Sequence, residues 1–486
     1  MITFLCCFVI LIVAYFGYGK YLERVCKIDA NAAVPSKELY DGVDYVPMAQ
    51  WRVFLVQLLN IAGIGPIFGA ILGACFGPVA FIWITLGGVF FGAMHDFISG
   101  VMLVRHKGLS FTEVVGNYFG RGMALFVRVL AIVLLVLVGV VFLRSPASIL
   151  SQTFAGVPYN VWIGIILIYY FVATLLPVDK IIGKIYPIFG AALIFMAIGL
   201  FGVLLFGDYE IPELTLRNSQ LNTEAMPIMP ALFITIACGA ISGFHVTQSP
   251  LMARCVRTEK DCRPVFFGAM ISESIIALIW AAAAMAFFGG ADGLSSAMAE
   301  HGNNAAWAVN TITSSTLGKI GALLALLGVV AAPITSGDTA FRSARLIIAD
   351  IFHIEQRSKL KRLYISVPLF AIGVIMLFVN FDVVWRYFSW TNQFLATIVL
   401  WCITVYLCRQ KANIAISLIP SIFMTYVCLS FMFVSTQFVG LGSTILAYTL
   451  GGVATLFVTG AMVWKLRNEY KKIRLKYGRT TPEADR

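Results

Sequence analysis

Long apolar runs alternate with short polar connections along the whole chain. Thirteen runs read as membrane-crossing helices: 3–19, 53–73, 79–102, 123–143, 159–176, 186–206, 227–249, 265–288, 317–337, 363–379, 387–407, 414–434 and 442–464. A helix needs roughly 20 apolar residues to cross about 30 Å of hydrocarbon, and the runs at 159–176 and 363–379 are the shortest. Two runs differ from the rest because glycine interrupts each near its middle. In the first the interruption reads Asn60-Ile-Ala-Gly63-Ile-Gly65-Pro66, and in the second Cys238-Gly239-Ala240-Ile241-Ser242-Gly243-Phe244-His245. Proline removes an N–H and clashes with the preceding turn, while glycine weakens a helix by about 1 kcal/mol.

The interrupted helices occupy matching positions once the first run is set aside. The next ten runs then form two sets of five, 51–206 starting from the cytoplasm and 227–407 starting from outside, and each set opens with an interrupted helix. This predicts an all-α polytopic fold: a 5+5 inverted repeat with one extra N-terminal helix and two C-terminal helices. The expected organisation is an N-terminal anchor and cytoplasmic loop (1–50), the first repeat (51–206), an external loop (207–226), the second repeat (227–407), two further helices (408–464) and a basic tail (465–486). Paired broken helices in inverted halves mark a transporter binding site near mid-membrane. Glycine and proline also pack or kink membrane helices without any such role, and Gly69, Gly73, Gly87, Gly88 and Gly92 read that way.

Each interruption would create a new helix N-terminus with free N–H groups and the positive end of the helix dipole. Two such ends favour an anion such as a carboxylate. The expected substrate-binding residues are therefore Asn60, Gly63, Gly65, Pro66, Gly239, Ser242, Gly243, Phe244 and His245, with Gly243 leaving the space that the substrate approaches.

Composition supports the membrane reading. Sixty percent of the 486 residues are hydrophobic and 12% are charged, with a mean hydropathy of +0.88. A soluble chain of this size cannot bury so much apolar surface. The net charge of +11 would suggest nucleic acid in a soluble protein, yet its placement reports topology. With the N-terminus outside, 30 of the 35 Lys and Arg fall in cytoplasmic segments, four (Arg144, Arg217, Lys319 and Arg386) fall outside, and Arg128 lies just inside a helix. The positive-inside rule thus places the N-terminus outside and the C-terminus in the cytoplasm of a bacterial inner membrane. The first run has Lys20, Arg24 and Lys27 behind it and no cleavage site, which reads as a retained anchor. Ten dispersed cysteines read as small apolar filler.

Ionisable groups inside hydrocarbon are costly and are functional candidates by default. Asp96 and Glu273 are candidate proton carriers, or else paired structural carboxylates. His245 could touch substrate or proton, or simply pack, and His95 reads as structural. Thr335, Ser336 and Thr339 gather at the cytoplasmic end of 317–337, where they could face unwound carbonyls around Ala62 and Gly65 and hold Na⁺ as a coupling ion. The same hydroxyls could merely cap a helix end, and Asp338 has Arg342 at i+4 as a helical ion-pair partner. Asn392 and Gln393 could bond neighbouring helices or line the path.

Several blocks resemble the carbon starvation protein A (CstA) family of peptide and pyruvate permeases. They are Ile61-Ala-Gly-Ile-Gly-Pro66, Gly92-Ala-Met-His-Asp96-Phe97, Leu232-Phe-Ile-Thr-Ile-Ala-Cys-Gly-Ala-Ile-Ser-Gly-Phe-His245, Glu273-Ser274, Asp338-Thr-Ala-Phe-Arg342-Ser-Ala-Arg345 and Asn392-Gln393. The resemblance covers about 40–408 and implies a leucine-transporter-like fold and secondary import of short peptides, amino acids or pyruvate-like carboxylates, with H⁺ or Na⁺ coupling. After the Phe-His pair, Val246-Thr-Gln-Ser-Pro250 stands where longer members carry a Ser-Gly-Thr-Thr-Pro-Lys run.

Other function classes find less support. The chain has no H-E-x-x-H pattern and no P-loop, and its histidines (95, 106, 245, 301 and 353) are dispersed, which argues against a membrane enzyme or an ATP-driven pump. A nutrient sensor without transport stays open, although the 22-residue tail is too small for an output domain. The expected partners are a small-molecule substrate and the lipid bilayer, with no nucleic acid and no resident cofactor.

Overall fold

A computed structural model describes residues 1–42, 44–154, 156–175, 179–318, 326–355 and 358–477. Among them helices dominate and no strand occurs. The main helices are α1 (Ile2–Phe16), α2 (Gln50–Ile61), α3 (Gly65–Ala74), α4 (Val79–Arg105), α5 (Arg121–Thr153), α6 (Tyr159–Leu175) and α7 (Asp179–Phe206). They continue with α8 (Gly243–Ala253), α9 (Glu259–Phe287), α10 (Ala331–Phe352), α11 (Lys359–Met376), α12 (Phe381–Arg409), α13 (Ala415–Val434) and α14 (Thr444–Tyr477).

Among the described residues eight helices are long and apolar enough to cross a membrane, and the bent pair α2–α3, taken as one span, makes a ninth. Helix occupies at least part of every one of the thirteen apolar runs, but several pieces fall below the length of a full crossing. Run 227–249 is split by its interruption, and 319–325 within run 317–337 lies outside the described residues, as do Lys319 and the tail beyond 477.

The chain sorts its helices by the solvent they face. In α9 and α12, 89% of the apolar stretch is buried within the protein. In the stretch 2–25 containing α1 the figure is 28%, and in α14 it is 17%. Exposed apolar side chains such as Val13 on α1, Phe195 on α7 and Phe457 on α14 need lipid around them. Small residues let the central helices approach closely: Gly92 of α4 lies against the Ala240 carbonyl, and Gly100 against the Phe266 ring. Over Trp83–Ala93 helix α4 winds as a π-helix, a widened form often found at functional sites.

The segments assigned to each side of the membrane contact one another. On one side Arg105 pairs with Glu259 (Nε–Oε1 2.8 Å, Nη2–Oε2 2.9 Å) and donates to the Tyr406 hydroxyl at 2.7 Å. Nearby, Arg254 donates to the Gly108 carbonyl and Arg409 to that of Asn117. On the other side Glu213 accepts from the N-terminal ammonium, the Thr3 hydroxyl and the Ile2 and Thr3 amides, which hold its carboxyl down at about 2.

Candidate functional site

The first interruption occupies 62–64, between α2 and α3, which bend by 49°. Pro66 sits in the first turn of α3, where a missing N–H costs nothing. Asn60 is buried in the last turn of α2, and its Oδ1 accepts no hydrogen bond. A Cβ on Gly63 would come within 2.8 Å of the Phe142 ring, and one on Gly65 within 2.5 Å of Cys238 Sγ.

The second interruption is longer, covering 236–242 between the short turn Phe233–Thr235 and α8. Gly243, Phe244 and His245 therefore form the first turn of α8 rather than part of the interruption. Gly239 adopts φ +87°, a left-handed conformation that glycine takes without steric penalty, and a Cβ there would face Ala277 and Pro66. The contacts Gly65–Cys238 and Gly239–Pro66 bring the two interruptions against each other.

Helix α12 holds the second interruption in place. Asn392 Oδ1 accepts from the Phe244 amide at 2.7 Å and from the Ser242 hydroxyl at 3.2 Å, while its Nδ2 donates to the Ala237 carbonyl at 2.8 Å. Gln393 Nε2 donates to the carbonyls of Phe233 and Ile236. Backbone groups freed by unwinding are thereby satisfied, as burial requires. Two expectations change. The Phe244 amide, expected to await a carboxylate, is already bonded to Asn392. Gly243 does not border open space either, because a Cβ there would meet the α12 backbone at Asn392 O and Ala396 N.

Beside this interruption lies a buried charged array. Asp96 Oδ1 is 2.7 Å from His95 Nδ1, and Asp96 Oδ2 is 2.7 Å from His245 Nδ1. An ionised Asp96 accepts from both rings, which places a proton on each Nδ1. The far nitrogen of His245, Nε2, lies 3.2 Å from Glu273 Oε2 without hydrogen-bond alignment. The side chains of His95, Asp96, His245 and Glu273 are all fully buried. Cys238 belongs to the same group: its Sγ, a ring nitrogen of His245 and a carboxylate oxygen of Glu273 lie within 4.8 Å of one another. Cys238 was expected to be apolar filler and is instead part of the polar centre. No local pattern could reveal this, since Asp96, Cys238 and Glu273 sit on separate segments.

The hydroxyl group lies apart from this array. Run 317–337 was expected to end at 337, but the helical backbone runs without a break from Leu326 through α10 to Phe352, so the hydroxyls lie inside a helix rather than at its end. Ser336 donates to the Leu59 carbonyl at 3.2 Å, one turn before the first interruption. Thr335 and Thr339 direct their hydroxyls to their own helix, at Ala332 O and Ser336 O. Asp338 pairs with Arg342 at 3.2 Å, as the i+4 spacing predicts.

Two cavities approach the centre from opposite sides. One, of about 380 Å³, is lined by Phe68, Arg144, Tyr159, His301 and Asn304. The other, of about 290 Å³, is lined by Glu113, Val246, Thr247, Arg254 and Asp350. Phe68 belongs to α3, and Val246 and Thr247 to α8, so each cavity reaches one of the broken helices.

The family model described as carbon starvation protein CstA matches residues 1–161 and 129–319. The chain belongs to the CstA family. An uncharacterized membrane protein of Haemophilus influenzae is 41% identical over 339 residues, covering 59% of this chain and 91% of that protein. The peptide transporter CstA of Bacillus subtilis is 29% identical, covering 57% of this chain and 56% of that protein. The pyruvate/proton symporter BtsT of Escherichia coli is 28% identical, covering 55% and 46%. This CstA-family chain thus spans about half the length of those two transporters. Among solved structures, MhsT in complex with L-phenylalanine has a TM-score of 0.54 at 14% identity, covering 87% of this chain and 99% of that one. The Eremococcus coleocola manganese transporter in complex with an aromatic bis-isothiourea compound has a TM-score of 0.52 at 13% identity, covering 90% and 99%. These two likenesses concern the fold.

Proposed function

We propose that the chain is a secondary transporter that imports a small organic solute across the bacterial inner membrane by alternating access. The solute class is short peptides, amino acids or pyruvate-like carboxylates, and the N-terminus faces outside. The observation that carries this reading is the contact between two broken helices beside a buried Asp96–His245–Glu273 array. An array of this kind, sealed from water, is costly unless it handles charge. The CstA-family transporters named above support the class. The two cavities support alternating access, since each reaches one broken helix from its own side. The 5+5 repeat and thirteen crossings belong to the same reading.

The array favours H⁺ as the coupling ion. His245 bridges two carboxylates, so a proton arriving at Glu273 or Asp96 changes the charge that holds α4, α8 and α9 together. The Na⁺ alternative, with Ala62, Gly65, Thr335, Ser336 and Thr339 as ligands, draws support from the Ser336–Leu59 contact. It is weakened because the Thr335 and Thr339 hydroxyls serve their own helix. Asn60, with an unpaired buried oxygen beside the first interruption, is the favoured polar contact for the solute.

Uptake of labelled pyruvate, alanine and a dipeptide into proteoliposomes tests the proposal. Uptake driven by an inward proton gradient and collapsed by a protonophore is expected. Uptake that follows a Na⁺ gradient alone would replace H⁺ by Na⁺, and binding without any uptake would leave a sensor.

A further inference from the structure

Glu273 and His245 pose a question that proton handling leaves open. Both Glu273 oxygens and His245 Nε2 lack an aligned hydrogen bond, although both side chains are fully buried. The groups that face the Glu273 carboxylate are the His245 ring and the Gly239 amide. Unsatisfied buried polar atoms cost about 1–3 kcal/mol each, and more when charged, so a cluster of three calls for an occupant.

We propose that Cys238, His245 and Glu273 form a binding site for a borderline-soft divalent metal ion of the Zn²⁺ class. Three features of the geometry converge on this. First, the donor atoms are one sulfur, one nitrogen and one oxygen, all within 4.8 Å of one another. Bonds of about 2.0–2.3 Å to a tetrahedral zinc place ligand atoms roughly 3.3–3.8 Å apart. The His245–Glu273 pair, at 3.2 Å, is already near that spacing. Loading requires the sulfur, which lies within 4.8 Å of both, to close to that spacing.

Second, His245 is oriented as a metal ligand. Its Nδ1 is bonded to Asp96 at 2.7 Å, so the ring, once neutral, turns the Nε2 lone pair toward Glu273. A carboxylate behind the imidazole is the outer-shell arrangement that fixes the tautomer and raises ligand basicity. Asp96 is itself held by His95 on its other oxygen. Behind the sulfur stand Ser242 Oγ at 3.5 Å and Asn392 Nδ2 at 3.7 Å, the latter already directed as a donor.

Third, the charges balance. Among the three ligands a thiolate and a carboxylate carry two negative charges and the imidazole none, so a divalent ion neutralises the ligands themselves, while the Asp96 carboxylate behind them is held by the two imidazole N–H groups. Neutrality matters in a water-free interior, where an unpaired charge is strongly disfavoured. Binding displaces the thiol proton, the Nε2 proton where the His245 ring is charged, and the carboxyl proton where one is present, and those protons leave to solvent. Thiolate and imidazole select Zn²⁺, Co²⁺ and their neighbours over Mg²⁺, Ca²⁺ or Mn²⁺, which prefer oxygen ligands.

Cobalt(II) titration of the purified full-length protein tests the site. A thiolate-to-cobalt charge-transfer band should grow to one equivalent and vanish when Zn²⁺ is added. Cys238→Ser should abolish the band, and Cys428→Ser, a buried thiol elsewhere, should leave it unchanged. Asp96→Asn should keep the band while weakening Co²⁺ affinity by about 10–100-fold. X-ray absorption of the Zn²⁺-loaded wild-type protein needs no variant: one sulfur at about 2.3 Å with nitrogen or oxygen at about 2.0–2.1 Å is expected. A shell of nitrogen and oxygen alone, or a cobalt band that survives Cys238→Ser, would overturn the proposal. Neither readout depends on transport, so failure of the site and failure of the transporter reading are distinguishable.

Discussion

The two interrupted helices solve the same problem by different means. The first unwinds over three residues, 62–64, and is held chiefly by packing: Gly63 against Phe142 and Gly65 against Cys238. The second unwinds over seven, 236–242, and is held by polar side chains from another helix, Asn392 and Gln393, with a charged array alongside. A short break needs only a proline-compatible restart and a small residue at the contact. A long break frees more backbone groups than local turns can satisfy, so distant side chains must supply partners. The polar break is therefore expected to be fragile toward deletion of a single polar atom, and the apolar break toward added volume.

The largest effect should come from Asp96→Ala, which leaves two imidazoles without their shared carboxylate. Losing one partner of a buried charged set costs about 3–5 kcal/mol, visible as a lowered thermal midpoint in detergent. An unchanged midpoint would mean that water replaces the carboxylate and the array is not dry.

Asn392→Ala ranks next. It orphans the Phe244 amide and the Ala237 carbonyl at about 1–3 kcal/mol for each buried group. Amide hydrogen exchange should accelerate at 237–245 and stay unchanged at 60–66. Equal acceleration at both breaks would erase the distinction drawn between them.

Volume should separate the breaks in another way. Gly243→Ala pushes a methyl group into the α12 backbone and should destabilise by about 1–3 kcal/mol in any background. Gly65→Ala meets only the Cys238 side chain, so Cys238→Ala should relieve it. A double-mutant cycle with no coupling between 65 and 238 would show that the breaks do not bear on each other.

Ser336→Ala should have the smallest effect. It removes one interhelical hydrogen bond to Leu59, worth about 0.6 kcal/mol in a membrane. Uptake should keep its dependence on the proton gradient; wild-type uptake that needs Na⁺ and a variant that no longer responds to it would revive the cation site.

Legibility in the sequence followed the range of each interaction. Hydropathy located the helices because lipid acts on each one independently. Glycine and proline located both breaks because their effect is local, although the second restarts at Gly243 rather than after His245. The end of α10 was misjudged because Arg342 and Arg345 read as loop residues; in the fold Arg342 pairs with Asp338 and donates to the Ala173 carbonyl, so the helix carries on to Phe352. Asp96 and Glu273 stood out as ionisable residues in apolar runs. Cys238 did not, because a cysteine among apolar residues looks the same in sequence whether it faces a leucine or a histidine. Only the crossing of α4, α8 and α9 brings it to the array.

The bend at 62–64 also has a mechanical meaning. Helix α3 is ten residues long, a rigid arm of about 15 Å. Each degree of change in its 49° bend swings the far end, at Ala74, by about a quarter of an ångström. A pivot of three residues thus amplifies tenths of an ångström beside Cys238 into ångströms at the rim. The charged array would need to shift only slightly to work such a lever.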